Sequence, residues 1–142
     1  MKAKKHIDWN YFHSMCEKLA NKVKHANFKA VYGIPRGGLI PATIISHYLD
    51  IPLLTEYDDE NTGVYDVLVI DDIADSGNTL KELNYLRRRA TLFVNKERCK
   101  HYPDFFVEET DEWVVFPYEY NKDTVSQVRF KDNHGHIHRT SA

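Results

Sequence analysis

The sequence is poor in cysteine and has no long apolar run. Its 142 residues include two cysteines, Cys16 and Cys99, which cannot make a disulfide framework. Both suit a reducing compartment, and neither reads as catalytic. No stretch is apolar for the length that a membrane crossing needs, and no signal-peptide pattern opens the chain. The cytoplasm is therefore the expected location. Linkers rich in Pro, Gly or Ser are missing, as are internal repeats, so a single core of ordinary size is expected. Neither sign of charge dominates: 19 basic residues against 21 acidic leave a formal net charge of -2. No helix carries a basic face, which argues against nucleic acid as a partner. The one dense basic run, Arg87, Arg88 and Arg89, reads as a solvated helix end.

What is present alternates between two periods. Trp9, Phe12, Cys16, Leu19 and Val23 recur at helical spacing and predict one buried face, with Asp8 as its cap. A short strand follows around Val31, Tyr32 and Ile34. Residues 39–49 predict a second helix, with Pro41 tolerated in its first turn. Strands are expected at 51–54 and 64–70, with an acidic loop at 58–63 between them. The run Val67, Leu68, Val69, Ile70 lacks alternation, as a strand covered on both faces does. A turn is expected over 71–78. Leu80, Leu83 and Leu86 line a third helix ending near Ala90, and strands follow at 91–94, 105–107 and 114–116. Buried strands alternating with helices predict an α/β domain with a parallel sheet, whose ligands bind beyond the carboxyl ends of the strands.

Two turns carry unusual chemistry. Residues 67–80 read VLVIDDIADSGNTL. A buried strand delivers Asp71 and Asp72, and Asp75, Ser76, Gly77, Asn78 and Thr79 lead into an apolar helix. Carboxylates accept hydrogen bonds from vicinal hydroxyls or help hold a magnesium-bound ligand. Gly77 lets the backbone approach closely, and amides at a helix start hold phosphate. Helix caps use one such residue, not this whole set. The segment is not a Walker loop, since Gly-Lys-Ser/Thr is absent, and it lacks the glycine spacing of a dinucleotide fingerprint. The second turn is Pro35, Arg36, Gly37 and Gly38. A structural turn has use for Pro and Gly but not for Arg36, which offers a rigid donor fork to phosphate oxygens. The glycines free amides for an anion nest. Two anion sites flanking a sugar site suggest a ligand phosphorylated at both ends.

These turns resemble those of the type I phosphoribosyltransferases. Residues 67–79 are similar to their ribose-diphosphate motif and residues 34–39 to their pyrophosphate loop. The segment DEWVVFPYE, residues 111–119, resembles the hood of the xanthine–guanine and related purine transferases. The likeness spans Trp9 to Glu119. It implies an open, mainly parallel twisted sheet flanked by helices, with a small hood. It also implies a domain over residues 1–120 and an extension over 121–142. Asp71 and Asp72 would bind the ribose hydroxyls of phosphoribosyl diphosphate and help hold Mg²⁺. Asp75, Ser76, Gly77, Asn78 and Thr79 would surround its 5′-phosphate, with Asp75 also near the purine imidazole edge. Pro35, Arg36, Gly37 and Gly38 would hold the diphosphate. Trp113 would cover the base, and the Val114 backbone would meet its pyrimidine edge. Asp71, Asp72, Asp75 and Arg36 would be the catalytic set. The implied reaction transfers phosphoribosyl to a nucleobase, a 6-oxopurine such as guanine, xanthine or hypoxanthine, and a homodimer is implied. From the residues alone, Trp113, Tyr118 and Tyr120 read as core aromatics before base-stacking ones.

Two departures from the family pattern leave alternatives open. Purine transferases place a lysine after the next core strand, at the purine 6-oxo group. Here Asn95 precedes Lys96, so Lys96 is the expected contact and Asn95 its rival. The stretch between Leu54 and Val67, a long lid in many members, is short and acidic, with Glu56, Asp58, Asp59 and Glu60. That predicts poor shielding and low turnover. The alternatives are a regulatory protein that binds the ligand without efficient catalysis, and a transferase with a non-purine acceptor. His134, His136 and His138 alternate in the tail. They read as a mobile or edge-strand segment before a metal site.

Overall fold

The computed structural model describes residues 3–57, 66–78, 88–119, 130–131 and 137–138. The predicted 58–63 loop, the apolar residues of the third helix and the alternating tail residues His134 and His136 lie outside them.

Helix α1 (Trp9–Val23) forms where the periodicity placed it. Asp8 stays extended and its Oδ1 accepts the Tyr11 amide at 2.7 Å, which supplies one of the donors that a helix start leaves over. Phe12, Met15, Cys16, Leu19, Ala20 and Val23 are buried. Trp9 departs from that face. At 53% exposure it packs edge-on against Phe12 with its other side in water. Burial pushes the Cys16 thiol up to about 12, so it is an inert core group. Helix α2 (Leu39–Leu49) starts at Gly38 and ends at Asp50, which turns left-handed at φ 55°.

Strands β2 (Ala30–Gly33), β3 (Leu53–Leu54), β4 (Val67–Ala74), β5 (Arg88–Asn95) and β6 (Phe105–Thr110) form one sheet in the order β3-β2-β4-β5-β6. Every pairing in it is parallel. Strand β4 is central, and Val67, Leu68, Val69 and Ile70 are all buried, as the unbroken apolar run predicts. The helices α1 and α2 pack on this sheet and on each other, with Phe12, Leu19, Ile45, Leu68 and Phe93 fully buried.

Three features depart from the sequence reading. β4 does not stop at Ile70 but continues through Ala74, because β5 goes on pairing with it (Asp71 with Thr91, Ala74 with Val94). The third helix cannot reach Ala90, since β5 opens at Arg88. Arg88 and Arg89 are thus strand residues, not a helix end. The Arg88 guanidinium lies over Phe28 and Phe105, and the Arg89 amide donates to Asp104 at 2.8 Å.

A strand that the periodicity missed, β1 (Lys4–His6), pairs in parallel with β7 (Trp113–Val115) in a separate two-stranded sheet. Lys5 and Tyr11 both reach Glu108 on β6, which ties this small sheet to the large one. In the tail, β8 (Phe130–Lys131) and β9 (Ile137–His138) pair antiparallel with each other.

The capping geometry predicts the effect of Asp8→Ala. Urea denaturation should show a loss of about 1 kcal/mol with an unchanged slope.

Candidate active site

The sheet order reverses between β2 and β4. From β2 the chain crosses to β3 on one side, then returns to build β4, β5 and β6 on the other. The carboxyl ends of β2 and β4 therefore flank the crevice where open α/β sheets bind ligands. Both chemically unusual turns fall there.

β2 stops at Gly33, opposite Ile70, while β4 runs on. Asp71 and Asp72 thus sit within a strand whose β2 neighbour has ended, rather than in the expected turn. Their carboxylates take two backbone amides: Asp71 Oδ1 accepts from Asp72, and Asp72 Oδ1 from Ile73, each at 2.8 Å. Burial first, and then the Asp72 charge, push the Asp71 carboxyl up to about 8. A group in that state gains from any ligand that supplies donors or positive charge.

Beyond Ala74, residues Asp75, Ser76, Gly77 and Asn78 join Asp71, Ile73 and Ala74 around a cavity of about 80 Å³. That is room for one phosphate-sized group. Ser76 Oγ accepts the Asn78 amide at 3.2 Å, so the loop is held by its own hydroxyl. Gly77 has φ +84°, and a Cβ there would stand 2.9 Å from the His101 carbonyl. Only glycine combines that backbone angle with that approach. Thr79 lies outside the described residues. Asp75 forms an ion pair with Arg98 from the turn after β5. Sequence reasoning passed over Arg98, which belongs to no motif and reaches the loop only because β5 lies beside β4.

The 33–38 turn lies flush on β4. The Ile34 amide donates to the Ile70 carbonyl at 2.9 Å, and a Cβ on Gly38 would stand 2.2 Å from that oxygen. A Cβ on Gly37 would stand 2.2 Å from Asp72 Oδ2. Pro35 and Arg36 are exposed at the tip, and the peptide between them is cis. Among the described residues nothing pairs with the Arg36 guanidinium.

Asn95 and Lys96 part company at the end of β5. Asn95 is buried, and its Oδ1 accepts the Glu97 and Arg98 amides at 3.1 and 3.0 Å, whereas Lys96 is exposed. Asn95 follows Val94, the last β5 residue paired with β4, and pairs with Thr110 on β6. In the hood segment, Trp113 is 57% exposed and Val114 is buried in the core. Tyr118, read from sequence as a core aromatic, does more. Its ring stacks on Phe116, and its hydroxyl donates to Asp72 Oδ2 at 2.7 Å, with the Gly37 carbonyl 3.3 Å away.

Among the described residues no group of three or more His, Cys, Asp or Glu could hold a metal. Two adjacent carboxylates still suit Mg²⁺, which keeps waters and is completed by substrate phosphate oxygens rather than by a full protein cage. Burial first, and then the Asp72 charge, make the Asp71 carboxyl hold its proton, and a cation bound beside it would favour the charged carboxylate instead. No helix among the described residues is long and apolar enough to cross a membrane.

No family model matches the chain. Individual proteins do. The chain is 33% identical over 136 residues to the xanthine-guanine phosphoribosyltransferase of Desulfotalea psychrophila, covering 80% of this chain and 84% of that one. It is 25% identical over 151 residues to the enzyme of the same name from Chromohalobacter salexigens, covering 89% and 93%. Its fold superimposes on the crystal structure of a purine phosphoribosyltransferase from Pyrococcus horikoshii with a TM-score of 0.70 at 29% identity, covering 83% and 95%. With identity of 33% over four fifths of its length, the chain belongs to the type I phosphoribosyltransferase family, in its xanthine–guanine and purine branch.

Proposed function

We propose that the chain transfers the phosphoribosyl group of 5-phosphoribosyl 1-diphosphate to a ring nitrogen of a 6-oxopurine (guanine, xanthine or hypoxanthine) and releases diphosphate, with Mg²⁺ required. One observation carries the reading. Two adjacent acids in β4 join a small cavity to the arginine–glycine turn in one crevice: Asp71 lines the cavity with residues 73–78, and Asp72 lies against Gly37. That spacing suits a sugar with a phosphate at one end and a diphosphate at the other.

In this reading the bond from ribose C1 to the diphosphate oxygen breaks, and a bond from C1 to the base nitrogen forms. The ring nitrogen gives up its proton to solvent water. C1 gains oxocarbenium-like charge while the leaving group gains negative charge. Asp71 and Asp72 accept the ribose hydroxyls and set their charge beside the cationic sugar. Amides of Asp75, Ser76, Gly77, Asn78 and Thr79 grip the 5′-phosphate. Arg36 and the Gly37 amide, behind Pro35, hold the diphosphate as its charge develops, while the Gly38 amide is already given to the Ile34 carbonyl at 2.8 Å and Gly38 serves by its close packing. Mg²⁺ held near Asp71 and Asp72 would neutralise part of that leaving-group charge. Trp113 closes over the base, the Val114 backbone meets its edge, and Lys96 or Asn95 contacts the exocyclic oxygen. Positioning, not a covalent protein nucleophile, supplies most of the acceleration. We place the transferase unit at residues 1–120, working as a cytoplasmic homodimer, with 121–142 as an extension.

Steady-state assay with guanine, xanthine and hypoxanthine should give diphosphate release with at least one of them. Asp71→Asn combined with Asp72→Asn should lower kcat/KM by at least about a hundredfold. Undetectable turnover with all three bases, despite tight binding of the activated sugar, would replace this reading with that of a regulatory binding protein.

Asp71 also makes a pH prediction for the metal-free chain. An acid whose folded-state pKa is raised binds its proton more tightly in the native state than in the unfolded one. Between about 4 and about 8 the native state then carries more protons, and stability falls as pH rises. Asp71→Asn removes that penalty. It should melt above the wild type at pH 7, with the gain shrinking as pH falls toward 4.

A further inference from the structure

Tyr118 reaches the two parts of the crevice that hold the most charge, yet it comes from neither. It follows β7 by three residues, and its hydroxyl stands within hydrogen-bond distance of Asp72 on β4 and of the Gly37 carbonyl in the turn after β2. A phenol has one proton to give. The shorter contact, 2.7 Å, goes to the carboxylate, which is the stronger acceptor.

The position of that proton is set by packing. The Tyr118 ring stacks on Phe116 with centroids 5.5 Å apart, and meets Phe12 at 5.6 Å and Trp9 at 6.4 Å. Phe116 and Phe12 are both buried. The ring therefore has little freedom, and the hydroxyl is aimed by the core. Asp72 is constrained from the other sides. Oδ1 takes the Ile73 amide, and the carboxylate lies so close to the Gly37 Cα that a single methyl group there would overlap it. Each carboxylate oxygen accepts about two hydrogen bonds, so one position on each remains for an incoming hydroxyl.

We propose that Tyr118 is a positioning residue for the phosphoribosyl site: by holding Oδ2 of Asp72 against the Gly37 turn, it fixes the direction of the lone pairs that accept a sugar hydroxyl. The hood segment thereby takes part in sugar binding as well as in covering the base. Tyr118 acts only through Asp72 and does not touch the reacting atoms. This inference rests on the phosphoribosyl reading of the site.

The test compares wild type, Tyr118→Phe, Asp72→Asn and the double variant. Phe keeps the ring and its stacking on Phe116, so its melting temperature should stay near that of the wild type. Calorimetric titration with 5-phosphoribosyl 1-diphosphate and Mg²⁺ should show Tyr118→Phe binding about tenfold more weakly, the scale of one hydrogen bond to a charged group. Its KM for the base should change by less than about twofold. With Asp72 already replaced, removing the hydroxyl should cost nothing further in kcat/KM for the activated sugar, because the two act as one unit.

Equal or tighter binding by Tyr118→Phe, or losses that add in the double variant, would overturn the proposal while leaving the function standing. A wild-type chain that binds no 5-phosphoribosyl 1-diphosphate would overturn both.

Discussion

The crevice depends on the contact between the end of β4 and the turn that follows β2. Gly33 and Gly38 press on each other, Gly38 presses on the Ile70 carbonyl, and Gly37 presses on the Asp72 carboxylate. No side chain fits between these surfaces. The arginine-bearing tip is thereby held at a fixed height beside the two acids. The distance between a diphosphate site and a sugar site is set by backbone packing, which is stiffer than any pair of side chains. The glycines are needed here for closeness; among the described residues, only Gly77 is needed for its backbone angle as well.

Charge at this end of the sheet works against stability. A buried strand delivers two adjacent carboxylates, and the first is pushed upward by burial and by the second. The protein relieves this only in part, through two backbone amides, the Tyr118 hydroxyl on Asp72 and Arg98 on Asp75. Such a site is costly to fold and ready to accept donors or cations, a pattern common where binding outweighs stability. Val67, Leu68, Val69, Ile70 and Ala74 of the same strand are apolar and buried, so the expense is confined to the half-buried stretch that holds Asp71 and Asp72.

Much of this was legible in the sequence because it rests on local pattern. Helical spacing found α1, the stretch 39–49 with Pro41 in its first turn read as α2, the run of four apolar residues found the central strand, and the two turns announced themselves by composition. What escaped depends on partners distant in the chain. β4 extends through Asp71 and Asp72 because β5 keeps pairing with it, and nothing in residues 71–74 says so. Arg88 and Arg89 looked like a helix end until strand pairing and the Phe28 and Phe105 rings claimed them. β1 is three residues without alternation, visible only beside β7. Arg98 and Tyr118 reach the site from other elements, so no motif contains them. A tyrosine among apolar neighbours reads as core, and its ring is core; the hydroxyl at its far end is what joins the site.

The most direct measurement is a crystal structure with 5-phosphoribosyl 1-diphosphate and Mg²⁺ bound. The account predicts ribose hydroxyls on Asp71 and Asp72, the 5′-phosphate against the amides of residues 75–78, and the diphosphate beneath Arg36. A sugar bound elsewhere, with both acids turned to bulk water, would contradict it.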